Sequence, residues 1–165
     1  MNLVPDYIFK TFDEASADFL ESIGVRAVIL DIDNTLEPYE HPLPGEHVIA
    51  WLESLKARGI KTAIVSNNGW ERVNLFNKDI GMPAIARAKK PFKVNVVRAM
   101  DMLSVDKEHT IFIGDQILTD VLAAHNAGIR AILVPPINDR RDPFTKFKRL
   151  LEKPFIKKYE KRAGK

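Results

Sequence analysis

Apolar and polar positions follow two rhythms along this chain. Short runs rich in β-branched residues, at 26–32, 60–66, 110–114 and 129–134, read as strands, and a briefer one sits near 83–87. Stretches of helical spacing separate them, each bracketed by helix punctuation. Pro44 opens a helix over 44–58 that Gly59 closes, and a second over 69–80 ends at Gly81. Pro91 opens a third that runs to Leu103, and a fourth over 117–127 stops at Gly128. A further helix is expected over 13–22. Strand and helix alternate throughout, which implies an α/β fold: a three-layer, Rossmann-like arrangement of a parallel five-stranded sheet with helices on both faces. Trp51 and Phe92 lie on amphipathic stretches and are expected in the core.

The length of 165 residues fits one domain with a sizeable core. Its expected parts are a helical lead-in over 1–24, a core over 25–138 and a tail over 139–165. The chain has no cysteine, which excludes disulfides, cysteine-ligated zinc and thiol nucleophiles. The first ten residues lack the basic start and apolar run of a secretory signal, and no window has the apolar length of a membrane span. A cytoplasmic protein is the expectation, with peripheral membrane attachment open to it.

The net charge of +3 is unevenly spread. Residues 139–165 hold eleven Lys and Arg against four Asp and Glu, a local +7 that leaves −4 for residues 1–138. In the tail, Phe144, Phe147, Leu150 and Leu151 fall at helical spacing among basic residues, and a second such piece follows Pro154. Two readings stay open and are compatible: an amphipathic helix on an anionic lipid surface, or a helix packed on the sheet with a solvated basic face.

Candidate chemistry collects at the carboxyl ends of the expected strands, where open parallel sheets bind ligands. The first strand runs into Asp31, Asp33 and Thr35, alternate positions that converge if extended geometry persists. Two carboxylates leaving a buried strand together need a counter-charge, and a divalent cation suits such an oxygen-rich spot. The second strand ends in Ser66-Asn67-Asn68, the third leads to Lys89-Lys90-Pro91, and the fourth ends in Gly114-Asp115 with Asp120 close behind. Several carboxylates with one cation and one hydroxyl suit a metal ion and a phosphoryl group. His41, His47, His109 and His125 show no metal-ligand spacing and read as surface or loop residues, with His41 an outside candidate for substrate contact.

These four pieces, in this order, resemble the motifs of the haloacid dehalogenase superfamily of phosphotransferases. The opening Leu3-Val4-Pro5-Asp6 and the core Asp33-Asn34-Thr35-Leu36 are similar to the YqeG-type branch of subclass IIIA, itself similar to phosphatases of phosphatidylglycerophosphate. The resemblance implies that Asp31 is the nucleophile and Asp33 the general acid and base. It implies Mg²⁺ on Asp31, the main-chain carbonyl of Asp33 and Asp115, with phosphate held by Thr35, Ser66, Asn67 and Lys90. Lys89 competes with Lys90, and position before the proline favours Lys90. Asp120 would brace the metal or the lysine from behind, unless it is merely an acid favoured by a helix start.

Only 34 residues separate Asp31 from Ser66 and 23 separate Ser66 from Lys90, intervals too short for a cap domain. The expected activity is Mg²⁺-dependent phosphomonoester hydrolysis on a large substrate, with a phospholipid head group at an anionic membrane surface favoured. A phosphoprotein or nucleic acid end is the alternative, and a non-catalytic metal-binding interaction module is the third.

Overall fold

The computed structural model describes residues 2–138 and 143–164, with only the backbone described for 143–149. Six strands form the sheet: β1 (Tyr7–Ile8), β2 (Ala27–Leu30), β3 (Lys61–Val65), β4 (Ala84–Ile85), β5 (Thr110–Gly114) and β6 (Arg130–Leu133). Their order is β1-β6-β5-β2-β3-β4 and every pairing is parallel. The expected five strands are thus six. The extra one, β1, is two residues long and follows Pro5 and Asp6, so no apolar run announces it.

Alternation along the strands fills both sides of the sheet. Val28 and Leu30 of β2 face a core built with α1 (Ala17–Ser22), α2 (Glu46–Ala57) and α3 (Trp70–Asn77), through Leu20, Trp51, Leu55, Val73 and Phe76. Ala27 and Ile29 face the opposite core, built with α4 (Val94–Leu103) and α5 (Leu122–Ala127), through Val96, Ala99, Leu103 and Ala124. Trp51 is buried as expected, and its indole N–H donates to the Ala15 carbonyl at 3.0 Å. Phe92 is not in the core. It lies ahead of the first turn of α4 and is 70% exposed.

Two helices, α2 and α4, start later than their prolines suggest, and two other expected helices open in a different form. The expected helix over 13–22 is a 3₁₀ turn, Phe12–Glu14, followed by α1, whose first turn is capped by the Ser16 hydroxyl accepting from Phe19 N–H at 3.2 Å. α2 begins after Gly45, whose N–H donates to the buried Glu37 carboxylate at 2.7 Å. The Lys90–Pro91 bond is cis, and a turn closed by Phe92 N–H on Lys89 O precedes α4. The expected fourth helix opens as a π-helical turn, Ile117–Val121, before α5.

The tail forms one helix, α6 (Pro143–Arg162), which runs through Pro154 rather than breaking there. Pro154 and Leu150 are exposed, so water satisfies the carbonyl that the proline leaves without a donor. Phe155 and Ile156 pack against the α4–α5 core, and the buried Glu152 accepts Ile117 N–H at 2.8 Å. The helix therefore packs on the body, as the second reading of the tail has it. Phe144 and Phe147, named in the amphipathic pattern, lie outside the described side chains.

At the far edge His125 places Nε2 3.0 Å from the Asp6 carboxylate and Nδ1 2.7 Å from the Asn2 carbonyl. Both partners are acceptors, which favours the doubly protonated ring. Burial opposes the charged forms, yet these bonds hold His125 above its ordinary pKa and Asp6 below its own.

Candidate active site

β2 is central, with β5 on one side and β3 on the other, and the chain reverses its direction of winding between β2 and β5. Ligand crevices form at such switch points. Register places the motifs there: Leu30 pairs with Ile113 and with Ile64, so Asp31, Asp115 and Ser66 lie one or two residues beyond the last pairs. Asp31 N–H still donates to Ile113 O at 3.1 Å, fixing the nucleophile candidate to the strand end.

Asp31, Asp115 and Asp120 offer carboxylate oxygens that lie within 4.8 Å of one another, all three residues buried. Lys90 lies among them, its ammonium 2.9 Å from Asp31 Oδ1 and 2.7 Å from Asp120 Oδ1, with its side chain only 2% exposed. Nζ also lies 5.3 Å from the centre of the Phe112 ring. Lys89 is exposed, so the lysine that reaches the cluster is Lys90. Burial, the largest effect, pushes the Asp31 carboxyl up to about 6, with Asp120 adding to it and Lys90 opposing it. Burial works to lower the Lys90 pKa, but the two carboxylates outweigh it and hold the ammonium charged.

Asp120 owes its place to the π-helical turn. Its Oδ2 accepts Gln116 N–H at 3.0 Å while its own N–H donates to Gln116 O at 2.9 Å. The strand beneath must be bare: a Cβ on Gly114 would lie 2.5 Å from Asp120 Cβ, Cγ and Oδ2. Gly114→Ala is therefore expected to displace Asp120 from Lys90 and to lower kcat by roughly a hundredfold. A Gly114→Ala protein with the parent kcat would show that the placement of Asp120 is immaterial.

The Asp33 carboxylate has partners of its own, while its charge still bears on Asp31. Arg72 Nε donates to its Oδ1 at 2.9 Å and Asn68 Nδ2 to its Oδ2 at 3.0 Å. Arg72 also donates to Pro42 O at 2.8 Å and lies over the Phe76 ring. No motif pointed to Arg72, and Asn68 was marked only as part of the polar run that ends the second strand. A signal existed, because an arginine in the first turn of α3 opposes the helix dipole and needs an acidic partner.

The remaining candidates are arranged as follows. Ser66 is buried at the end of β3, and its hydroxyl accepts Asn68 N–H at 3.1 Å, leaving its own proton to donate. The Asn67 side chain clamps the backbone of Lys90, accepting its N–H at 2.7 Å and donating to its carbonyl at 3.3 Å. Any contact of Asn67 with phosphate would come from its main chain. Thr35 closes the turn through its N–H on Ile32 O, and its buried hydroxyl has no hydrogen-bond partner among the described residues. His41 and His47 flank the buried Glu37 at 3.5 and 3.8 Å. His109 stays near the surface on Asp106, whereas His125 is mostly enclosed.

The donors that could hold a metal are all carboxylate oxygens, a hard set suited to Mg²⁺. Asp31 and Asp120 share one ammonium, and with Asp115 beside them the buried oxygens are close enough together for one divalent cation.

Residues 6–134 match the family model described as haloacid dehalogenase-like hydrolase. The chain belongs to this family. Over 150 residues it is 37% identical to the Probable phosphatase YqeG of Bacillus subtilis (strain 168), covering 91% of this chain and 87% of that protein. Among solved structures, an uncharacterized protein from Listeria monocytogenes serotype 4b superposes with a TM-score of 0.56 at 23% identity, covering 72% of this chain and 85% of the other. Protein XCC2798 from Xanthomonas campestris also gives 0.56, at 19% identity over 75% of this chain and 72% of its own. These two likenesses concern the haloacid dehalogenase-like fold.

Proposed function

We propose that this phosphatase is a Mg²⁺-dependent phosphomonoesterase that works through an aspartyl-phosphate and acts on a phosphorylated lipid head group. The observation that carries the reading is the buried set of Asp31, Asp115 and Asp120 around Lys90 at the switch point of the sheet. Asp31, Asp115, Asp120 and the main-chain carbonyl of Asp33 would hold the cation. When bound, Mg²⁺ supplies charge neutralisation of the phosphoryl oxygens.

Asp31 Oδ attacks phosphorus as the bond to the leaving alkoxide breaks, and Asp33 gives that oxygen a proton. Asp33 then takes a proton from water, whose oxygen displaces Asp31 and releases inorganic phosphate. Lys90 and the Ser66 hydroxyl hold the equatorial oxygens, where charge builds in the transition state. Arg72 and Asn68, each donating to one oxygen of Asp33, would orient the carboxyl group for this role.

The lipid reading draws on the resemblance of the sequence to phosphatidylglycerophosphate phosphatases and on an open mouth. One helix, α2, lies between Asp31 and Ser66, and α3 with the short β4 lies between Ser66 and Lys90, so we take the site to be uncapped. Among the described residues no helix is long and apolar enough to cross a membrane, so the lipid would be met at its surface.

The test is phosphate release from phosphatidylglycerophosphate in mixed micelles, with and without Mg²⁺, beside a chromogenic phosphate ester, a phosphopeptide and a 5′-phosphorylated oligonucleotide. Fast Mg²⁺-dependent release from the lipid is expected. Release from the peptide or oligonucleotide instead would keep the phosphatase and reassign its substrate. Release from none would leave a binding module.

A further inference from the structure

The loop that delivers Lys90 to the site turns a very different face outward. From residue 80 to 100 the chain has no acid and five basic residues. Of these only Lys90 is buried; Arg87, Lys89, Lys93 and Arg98 are all exposed. Between them protrude Phe92 and Val94, 70% and 69% exposed, the two most exposed large apolar side chains among the described residues.

Their exposure is not a matter of a loose loop. Arg87 N–H donates to Asn68 O at 2.8 Å and Ala88 N–H to Ser66 O at 2.9 Å. Three asparagine side chains fasten the rest: Asn67 on Lys90, Asn95 on Ala88 O at 3.0 Å and Asn126 on Pro91 O at 3.0 Å. The segment thus presents two exposed apolar side chains on a fixed backbone, with exposed cations before, between and after them in the chain. Little conformational entropy remains to be lost when that surface docks.

We propose that this loop, from Arg87 through the first turns of α4, is the docking surface for an anionic phospholipid bilayer. Phe92 and Val94 enter the boundary between head groups and acyl chains, while Arg87, Lys89, Lys93 and Arg98 meet the phosphates. A solvated basic patch alone would suit any polyanion. The protruding apolar pair favours a surface with a hydrocarbon layer beneath it. The assignment extends the lipid reading above, because one loop would seat the protein on the membrane and supply the phosphate-binding lysine two residues earlier.

The experiment is sedimentation of the full chain with phosphatidylcholine vesicles, with and without phosphatidylglycerol, alongside turnover of the lipid and of the chromogenic ester. Binding is expected only with the anionic lipid and should weaken with salt. Phe92→Ser with Val94→Ser is expected to lower the partition coefficient about tenfold or more. Lys93→Gln and Arg98→Gln should each lower it about fivefold. All four positions are exposed and away from the carboxylate cluster, so ester turnover and thermal stability should stay at the parent level.

Parent-level vesicle binding by the Phe92, Val94 double variant would overturn the assignment and point to another surface such as α6. Absence of vesicle binding by the parent chain would overturn it as well. So would binding to an oligonucleotide that the double variant retains, with none to vesicles. The micelle assay separates this from the substrate: a parent chain that binds vesicles through the loop yet releases no phosphate from the lipid keeps the docking surface and loses the lipid as substrate.

Discussion

Asp31→Asn is expected to remove turnover, by at least about 10⁴-fold, on every phosphate ester the parent protein accepts. The substitution keeps shape and leaves Lys90 paired with Asp120 at 2.7 Å, so the fold should persist. In the proposed mechanism, what disappears is the anionic oxygen that would attack phosphorus, together with one of the groups that would hold the metal. Quench of the parent enzyme during turnover should trap phosphate on Asp31, whereas Asp31→Asn should carry none. Residual activity above a tenth of the parent would reassign the nucleophile.

Removing Lys90 should have the largest effect on stability. Its ammonium is paired with both Asp31 and Asp120 in a buried cluster that also holds Asp115. Lys90→Met fills similar space and takes from Asp31 and Asp120 the cation they share, a loss of about 3–5 kcal/mol by analogy with other broken buried pairs. Urea unfolding would measure it, and Mg²⁺ should restore more stability to this variant than to the parent. Catalysis should not recover with it if Lys90 holds the transferring phosphoryl group as proposed, and a loss of roughly 10²–10³ in kcat is expected. A Lys90→Met protein as stable as the parent without Mg²⁺ would mean that the carboxylates are protonated or hydrated rather than ion-paired.

Much of this arrangement was legible in the residues. β2 and β5 are buried throughout and β3 over Ala63–Val65, and the polar residue that follows each run, Asp31, Asp115 and Ser66, is the one the motifs single out; the structure brings these three to one end of the sheet. Lys90 over Lys89 was favoured by the neighbouring proline, and the structure buries Lys90 while leaving Lys89 exposed. Other features follow from tertiary context that local pattern does not carry. The start of α2 depends on Glu37, eight residues before the Gly45 N–H that it accepts. The partners of Asp33 come from α3 and the turn before it, and nothing at Asp33 itself announces them. Phe92 failed as a core residue because the amphipathic pattern was extended three residues too far toward Pro91; helical phase means nothing before Val94 begins the helix.

The pairing of β1 with β6 has a consequence for how the protein is made. Asp6 bonds Ala131 across 125 residues, through its carboxylate at 2.8 Å and its own N–H at 3.0 Å. Tyr7 and Ile8 then align with Ile132 and Leu133. At ribosomal speed, that separation corresponds to roughly ten seconds of synthesis. For that interval Tyr7, Ile8 and Phe9 have no sheet edge to join and are surface for a chaperone or for a neighbouring nascent chain. A pairing of such long range is also among the slower contacts to form once the chain is free. Tyr7 and Ile8 are made long before the strand they join.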